Sequence, residues 1–431
     1  MPTASTIADR LLEGDRAAAA ALAEGLLKPR RDNLVARPWG GARLCEFKGL
    51  TAAPCQAGRR FGESFELSAD DSDDEARLHP SVLTLADAST ITLPALLAVH
   101  GETVLGADFV QRYGRRFPLL PKLLDVAELL SVQAHPPGNT EVYVIVEAEP
   151  GATIRLGFAA GVDAGPWAEQ LASGRRDQQR LLELFGEDFA AELQSALQPW
   201  LARRAASAKD LESELRPRLR DGSHWPEVEA RLASVRACFW AVLDSLNTVP
   251  VKPGDIIYNA NPPRVTVATG KPVSAEVHAL GNTEGRGVFA LEIRRPGTTF
   301  RAWDNVRFPL RDIDIAAALD ALNLTATVPS DFIVEPHDVR PGVRRSVDCE
   351  YFRLEHLEPA RGLAIDVPAT PPHSLHALAG RVSVTRSDGR SLGTLERGES
   401  ALVPGQVGAY RLVADGERAE LIKVDLPPYV D

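Results

Sequence analysis

The hydrophobic and polar positions alternate between helical and strand-like patterns along the chain. Residues 5–28 combine apolar spacing with abundant Ala, Leu and Glu, which predicts helix, and Pro29 ends the pattern. Residues 33–158 contain short apolar runs separated by Gly, Pro, Asn and Asp, which is typical of a β-rich region. Within that region, residues 119–129 are compatible with a helix. The first third of the chain therefore predicts a helical segment followed by strands.

A second helical pattern interrupts these strands. Residues 166–246 are dense in Ala, Leu, Glu, Arg and Gln at helical spacing, which predicts several helices with breaks near Gly186, near Pro199 and at residues 222–226. Strand-like sequence resumes at residue 249 and continues in short runs to residue 307. The helical region is therefore predicted to be an insertion in one β domain. A further short helix is expected at residues 313–322.

The last part of the chain, from residue 347 to residue 430, is again β-like. Gly380 precedes a strand-like run, and Gly398 is followed six residues later by Pro404 before another run. This spacing is typical of a cupin, a small antiparallel barrel. Residues 251–258 begin with the same kind of glycine turn, so two related barrels are expected. The predicted fold class is mainly β, with two jelly-roll-like cupin barrels and an α-helical domain.

The predicted domain boundaries follow these changes of pattern. The parts are an N-terminal helical segment at 1–32, a discontinuous first barrel at 33–165 and 247–320, an α-helical insertion at 166–246, and a C-terminal barrel at 321–431. A chain of 431 residues is too long for one ordinary core, which agrees with several compact units.

Composition and charge exclude several classes of protein. Hydrophobic residues make up 44% and charged residues 25%, the balance of a soluble globular chain. The net charge of -11 and the lack of a Lys/Arg-rich run argue against nucleic acid or an anionic membrane as a partner, although a local phosphate pocket stays compatible. No apolar stretch approaches the roughly 20 residues of a spanning helix, so a cytoplasmic location is expected. The four cysteines form no CxxC pair and predict neither a disulfide scaffold nor a zinc ribbon.

The densest chemical information lies in residues 130–136, LSVQAHP. Alternate residues of a strand share a face, so Gln133 and His135 are expected to project together. Glu141 begins the next strand-like run after a Pro-Pro-Gly turn, and a hairpin would return its carboxylate to that face. With a distant histidine this set offers nitrogen and oxygen donors suited to Zn²⁺, and also to Fe²⁺, Mn²⁺ or Co²⁺. A Gln-x-His pair alone also fits a purely structural His135.

Several motifs in a fixed order resemble the type I mannose-6-phosphate isomerases. Residues 117–126, FPLLPKLLDV, lead into LSVQAHP, as the family's "P-F-L-x-K-x-L-D" segment precedes "L-S-x-Q-x-H-P". Residues 37–41 and 62–68 resemble its "P-W-G" and "G-E-x-W-E-x-S" segments. Further matches at residues 253–255, 277–280, 291–293 and 298–304 resemble "P-G-D", "H-A-I", "E-I-Q" and "T-T-Y-R-x-x-D". The resemblance covers roughly residues 37–307, and ordered matches are more specific than any single one.

The resemblance implies an enzyme that interconverts mannose 6-phosphate and fructose 6-phosphate through an enediol. It implies one Zn²⁺ per chain, with other divalent metals as alternatives, and a sugar phosphate as the partner. The negative charge that develops in the enediol must be stabilised, and a base must take the C2 proton. Glu292 is the candidate base, with Lys122 as the alternative. The implied metal ligands are Gln133, His135, Glu141 and His278, with Arg301 beside the reacting carbons and with Ser131 and Lys122 facing the sugar phosphate.

Three positions depart from the family pattern. Asn139 stands where a lysine is common before the metal-binding glutamate, Arg294 stands where glutamine is expected, and residues 259–263 read NANPP where the family has "P-A-G". The substrate could therefore be a different sugar phosphate. A noncatalytic metal- or sugar-phosphate-binding cupin and an Fe-dependent cupin oxygenase stay open as alternatives. The sequence does not fix the oligomeric state.

Other candidate groups are assigned no role in catalysis. His373 and His376 lie close together in the terminal barrel, where cupins can bind metal, but no glutamate follows at a comparable spacing. The acidic run at residues 70–75 is interpreted as a solvated loop. Arginine pairs such as Arg294 and Arg295 could reach a phosphate, but most such pairs lie at the surface, and these are interpreted as surface residues. The remaining histidines are interpreted as surface or structural residues: His79, His100, His224, His337 and His356.

Overall fold

The computed structural model describes residues 5–51, 55, 58–260 and 274–429. The start of the predicted N-terminal segment, at residues 1–4, and residues 261–263 of the unusual loop lie outside the described residues. The helices are α1 Ile7–Leu12, α2 Arg16–Ala23, α3 Arg43–Phe47, α4 Asp74–Leu78, α5 Leu93–Leu105, α6 Ala107–Tyr113, α7 Ala164–Phe185, α8 Ala190–Ala202, α9 Glu212–Leu215, α10 Trp225–Asp244 and α11 Ile315–Ala321.

Antiparallel strands form a first pair of sheets. The seven-stranded sheet has the order β1-β2-β5-β12-β7-β10-β14, and the five-stranded sheet has the order β13-β6-β11-β8-β9. The separate hairpin β3-β4 lies beside them. The strands are β1 Leu34–Val35, β2 Glu63–Phe65, β3 Val82–Thr84, β4 Thr90–Thr92, β5 Lys122–Val126, β6 Val132–Ala134, β7 Glu141–Ala148, β8 Thr153–Phe158, β9 Leu246–Pro250, β10 Ile256–Asn259, β11 His278–Ala279, β12 Val288–Arg294, β13 Phe300–Trp303 and β14 Ile333–Val334.

The C-terminal part forms a second pair of sheets. Its six-stranded sheet has the order β15-β16-β17-β24-β19-β22, and its four-stranded sheet has the order β18-β23-β20-β21. The strands are β15 His337–Arg340, β16 Val343–Asp348, β17 Arg353–Leu357, β18 Ile365–Val367, β19 His373–Ala379, β20 Arg381–Arg386, β21 Ser391–Glu396, β22 Ser400–Val403, β23 Tyr410–Ala414 and β24 Glu420–Asp425.

Apolar side chains pack between the first two sheets and on the outer face of each, because alternate residues of a strand point to opposite faces. Between the first two sheets, Leu124 and Tyr143 pack with Leu156 of the facing sheet. The outer face of the five-stranded sheet packs against the helices of residues 164–244. The outer face of the seven-stranded sheet packs against α1, α2 and α5 and against the six-stranded sheet, through residues such as Val144 and Ile422. The first pair of sheets is therefore enclosed on both outer faces.

The structure agrees with most predicted elements and corrects three. A helix was expected at 119–129, but residues 122–126 form β5, because their side chains are buried on both faces of a central strand. Pro199 does not break its helix; it lies inside α8. In the described residues the strand pairings form open sheets, so they establish a mainly β fold with helices rather than two closed barrels.

One covalent cross-link was not indicated by the cysteine spacing. Cys45 of α3 and Cys55 form a disulfide with their Cα atoms 5.7 Å apart, while Cys238 and Cys349 are free. Among the described residues, no helix is both long and apolar enough to cross a membrane.

Candidate metal centre and active site

Three buried side chains bring nitrogen and oxygen donors together between the first two sheets. His135 follows β6, Glu141 begins β7 and His278 begins β11, and all three are at most 3% exposed. His135 Nε2 lies 2.8 Å from Glu141 Oε1, and His278 Nε2 lies 3.3 Å from Glu141 Oε2. Their ligand atoms all lie within 4.8 Å of one another, close enough to converge on one cation.

Backbone carbonyl groups hold both imidazoles by Nδ1. His278 Nδ1 donates to the Glu276 carbonyl oxygen at 2.9 Å, and His135 Nδ1 donates to that of Thr298 at 3.3 Å. A proton on Nδ1 leaves Nε2 as the metal-binding nitrogen. Burial lowers the pKa of His278 although Glu141 opposes the shift, and the neutral ring is the form that binds a metal.

Glu141 is held in its ionised form. The Tyr143 hydroxyl donates to it, and Asn259 Nδ2 donates to its Oε2 at 3.3 Å. Burial alone would raise the pKa of Glu141, but His135 and His278 outweigh that effect and hold the pKa well below its usual value. These outer contacts orient the carboxylate in the way that second-shell groups orient metal ligands.

Gln133 lines the same cavity. It lies two residues before His135 on β6, and its Cα is paired in register with that of His278. Its Nε2 donates to Ser131 Oγ at 2.9 Å, so Oε1 is the atom that the amide can offer to a metal. Among the described residues, His135 Nε2 is buried without a hydrogen-bond partner, since its approach to Glu141 lacks hydrogen-bond geometry. An orphaned nitrogen within a nitrogen and oxygen donor set fits a divalent metal such as zinc.

Lys122 is the centre of a buried charge cluster beside these donors. Its Nζ lies 3.4 Å from Glu292 Oε2, 3.5 Å from Glu75 Oε2 and 3.6 Å from Glu63 Oε1, and the residue is 4% exposed. Burial alone would lower the pKa of Lys122, but Glu63 and Glu292 outweigh it and raise the pKa above its usual value. Lys122 is therefore a fixed cation near neutral pH.

Glu292 differs from the other carboxylates of this cluster. Within the described part of the chain its Oε2 has no partner in hydrogen-bond geometry, and Arg294 Nε lies 3.7 Å away. Burial raises the pKa of Glu292 to about 7, against the opposing effect of Lys122. By contrast, Lys122 and Arg37 outweigh burial and lower the pKa of Glu75 to about 2. Glu292 is thus the carboxylate that can exchange a proton near neutral pH.

Arg301 lines the cavity with unused hydrogen-bonding capacity. Its Nη1 donates to the Asp312 carbonyl oxygen at 3.1 Å, while its Nε is buried and has no partner among the residues that the structure describes. Ser131, which is 2% exposed, lines the cavity beside Gln133. The structure therefore gathers all the site residues named from the sequence into one cavity: Lys122, Ser131, Gln133, His135, Glu141, His278, Glu292 and Arg301.

Two interpretations of charged residues as surface groups were wrong. Asp73 and Glu75 belong to the acidic run expected to be a solvated loop, yet Asp73 is 2% exposed and Glu75 lines the cavity. Arg294 was interpreted as a surface residue, yet it is 1% exposed, and its Nη2 lies 3.0 Å from Asp73 Oδ2. A run of like charges gives no sequence signal for which member finds a buried partner.

Sequence reasoning also gave no role to Arg37 and Glu63. Arg37 Nε donates to Glu63 Oε2 at 2.7 Å, and both residues line the cavity. They lie in the segments that resemble "P-W-G" and "G-E-x-W-E-x-S", so the motifs could have placed them at the site. Their contact with Glu75 and Lys122 depends on the tertiary structure.

These features form a candidate metal site: two facing sheets enclose a buried set of nitrogen and oxygen donors beside a lysine and carboxylate cluster. Residues 76–150 match the family model described as phosphomannose isomerase type I, catalytic domain. This match confirms the resemblance that the sequence motifs indicate. A search of the curated proteins finds no match.

Solved structures of mannose-6-phosphate isomerases share this fold. The enzyme from Bacillus subtilis is 19% identical, with a TM-score of 0.57, over 93% of this chain and 99% of that chain. A variant of the phosphomannose isomerase from Salmonella typhimurium is 15% identical, with a TM-score of 0.59, over 93% and 99%. A zinc-bound mannose 6-phosphate isomerase is 15% identical, with a TM-score of 0.58, over 93% and 98%. At these identities the likeness establishes the fold.

Proposed function

We propose that this chain interconverts mannose 6-phosphate and fructose 6-phosphate. One observation carries the proposal: a single cavity holds the His135, Glu141 and His278 donors, a permanently charged Lys122 and a carboxylate, Glu292, that titrates near neutral pH. The fold shared with solved mannose-6-phosphate isomerases and the catalytic-domain match at residues 76–150 support it.

Gln133, His135, Glu141 and His278 would hold one Zn²⁺. A bound dication supplies Lewis acidity to oxygen atoms of the substrate. The carbonyl groups of Glu276 and Thr298 orient the two imidazoles, and Tyr143 and Asn259 orient Glu141, so the site is preorganised.

Glu292 would move the proton between C2 and C1. An aldose-ketose isomerisation removes a proton from the carbon beside the carbonyl and returns one to its neighbour through an enediol. A carboxylate with a pKa of about 7 is partly ionised at neutral pH and can both accept and return that proton. Lys122 is a poor base because its pKa is raised, so it serves as a cation instead.

The cations would bind the substrate and stabilise the charge that develops on its oxygens. Among the described residues Arg301 Nε has no hydrogen-bond partner, and a partly buried guanidinium acts on developing charge more strongly than a fully exposed one. Ser131 and Lys122 would face the sugar phosphate. Arg37 and Arg294 also neutralise carboxylates of the cavity, so they contribute to its net charge together with Lys122.

The two pairs of sheets support a proposal of two cupin-type units. The first, at residues 33–165 and 247–320, would carry the active site, with the helical insertion on its outer face at residues 166–246. The second, at residues 321–431, would pack against the seven-stranded sheet. A cytoplasmic location would suit a sugar-phosphate substrate.

A coupled assay tests the proposal on the full chain loaded with one verified equivalent of zinc. Formation of fructose 6-phosphate from mannose 6-phosphate, lost after chelation and restored by zinc, is the expected result. Binding of the sugar phosphate in a calorimeter without turnover would favour a noncatalytic binding protein. Oxygen consumption by the iron-loaded chain would favour an oxygenase, and either result would overturn the proposal.

A further inference from the structure

We infer that Asp73 is a positioning residue that fixes two walls of the active-site cavity relative to each other. Only the expected change in kcat/KM rests on the proposed function; the expected change in zinc retention does not. Asp73 does not line the cavity, and it lies in a run of acidic residues that otherwise includes exposed side chains such as Asp74, whose side chain is 81% exposed.

Both oxygens of the Asp73 carboxylate are committed to hydrogen bonds. Oδ1 accepts from the backbone N–H of Ala76 at 3.0 Å and so caps α4. Oδ2 accepts from Arg294 Nη2 at 3.0 Å and from the backbone N–H of Gly297 at 2.9 Å. A residue that is 2% exposed thus joins a helix, a strand and a loop.

The helix that Asp73 caps carries one wall of the cavity. Glu75 lies in the first turn of α4, where its carboxylate is 2.9 Å from Arg37 Nη2 and 3.5 Å from Lys122 Nζ. The cap fixes the start of this helix, so it also fixes the carboxylate that neutralises Lys122 from this side.

The loop that Asp73 holds carries the other wall. Gly297 is followed by Thr298, whose carbonyl oxygen holds His135 Nδ1 at 3.3 Å, and then by Thr299 and Arg301, which line the cavity. Arg294 strengthens the hold, since its Nη1 donates to the carbonyl oxygens of Arg295 and Gly297 at 3.1 and 3.2 Å.

No neutral isostere reproduces this arrangement. Asparagine offers one oxygen where aspartate offers two, so it cannot serve both the helix cap and the loop, and it leaves Arg294 with the longer contact to Glu292, whose Oε2 is 3.7 Å from Arg294 Nε. The pKa of Asp73 is lowered, because Arg294 outweighs the effect of burial, so the carboxylate is ionised at neutral pH.

The test compares Asp73→Asn with Asp74→Asn, a matched change one residue away at an exposed site. Zinc retention is measured by competition with a chromogenic chelator, and kinetics by the coupled assay. Loss of an outer-shell partner typically lowers metal affinity or activity roughly 10- to 100-fold. We expect a loss of that size for Asp73→Asn in zinc retention and in kcat/KM, and none for Asp74→Asn.

A second comparison separates positioning from general loss of structure. In the Arg301→Lys background, Asp73→Asn should change kcat/KM much less than in the original chain, because both changes act through the same loop. If Asp73→Asn lowers the melting temperature, zinc retention is compared well below the unfolding transition, where the lower retention of Asp73→Asn should persist although the variant is fully folded.

Equal zinc retention and kinetics for Asp73→Asn and Asp74→Asn would overturn the inference, as would additive effects with Arg301→Lys. If the original chain shows no turnover, the proposed function fails, but the zinc comparison still decides the role of Asp73.

Discussion

Both pairs of sheets bury histidines, but only the first pair leaves a buried ring nitrogen without a hydrogen bond among the described residues. In the C-terminal pair, His376 contacts Ser400 Oγ at 2.8 Å and Ser374 Oγ at 2.9 Å. In the same pair, His373 Nε2 contacts Tyr410 Oη at 2.7 Å and His356 Nε2 contacts Ser346 Oγ at 3.1 Å. In the first pair, His135 Nε2 has no such partner and lies beside Glu141. Burial of histidine is common to both regions, so the signal of a functional site is an unsatisfied nitrogen directed at a carboxylate.

Two buried carboxylates, Glu66 and Glu292, differ in the same way. Glu66, where the first pair of sheets meets the C-terminal pair, is matched by Lys48 Nζ at 2.5 Å and by Ser400 Oγ at 2.8 Å. Glu292 Oε2, in the first pair, is buried and has no hydrogen-bond partner among the described residues. A satisfied network stabilises the packing of the two regions, whereas an unsatisfied group is costly to bury and is retained where it does chemistry.

The largest effect is expected when either histidine of the proposed metal site is replaced. His135→Ala and His278→Ala should each lower kcat about 10³-fold or more and abolish stoichiometric zinc, because the loss of one ligand removes several kcal/mol of charge stabilisation. His376→Ala should retain both the original kcat and stoichiometric zinc. Elemental analysis and the coupled assay check this, and zinc lost equally from all three variants would contradict the assignment.

The next effect concerns Arg301, a cavity residue that is not one of the proposed metal ligands. Arg301→Ala should lower kcat by roughly 10²- to 10³-fold while zinc remains bound, since the guanidinium acts on developing charge rather than on the metal. Arg344→Ala, at a partly exposed arginine of the C-terminal unit paired with Glu358, is the matched control and should behave as the unmodified chain. A loss confined to KM would assign Arg301 to substrate binding alone.

The pH profile tests the role of Glu292. Its pKa is raised to about 7, so the basic form decreases as the pH falls, and kcat/KM should decline about tenfold per unit on the acid side. A nearby bound dication favours the ionised carboxylate, so the midpoint is expected at or below 7. Glu292→Gln should remove the acid limb together with most activity. An unchanged profile in residual Glu292→Gln activity would point to another base.

Replacement of His376, in the C-terminal pair of sheets, should change activity least but should clearly lower stability. In His376→Ala, the buried Ser374 and Ser400 each lose the contact with the imidazole. The free energy of unfolding should therefore fall by about 1–3 kcal/mol, with activity nearly unchanged. Burial lowers the pKa of His376 to about 4, so this residue's contribution to stability is present above about 6.5 and is lost as the pH falls towards 4. Chemical unfolding of the original chain and of His376→Ala at pH 7 and pH 5 measures the loss of stability and its pH dependence. Identical pH dependence with and without His376 would refute the assignment.

The sequence by itself determined the periodic features. Strand alternation placed Gln133 and His135 on one face, helical spacing placed the insertion at residues 166–246, and ordered motifs indicated the family. These features depend on local periodicity and on short segments, which a linear sequence records directly. The helix expected at 119–129 was wrong because apolar residues buried on both faces of a central strand lack the alternation that distinguishes strand from helix.

Only the tertiary structure decided which charges meet. Asp73 and Arg294 are 221 positions apart in sequence and 3.0 Å apart in space, and neither position carries a local pattern that indicates burial. The same holds for Glu75 beside Lys122 and for the serines that satisfy His376. Long-range pairing of polar groups is set by strand order and register, so the sequence could name the metal donors but not the network that orients them.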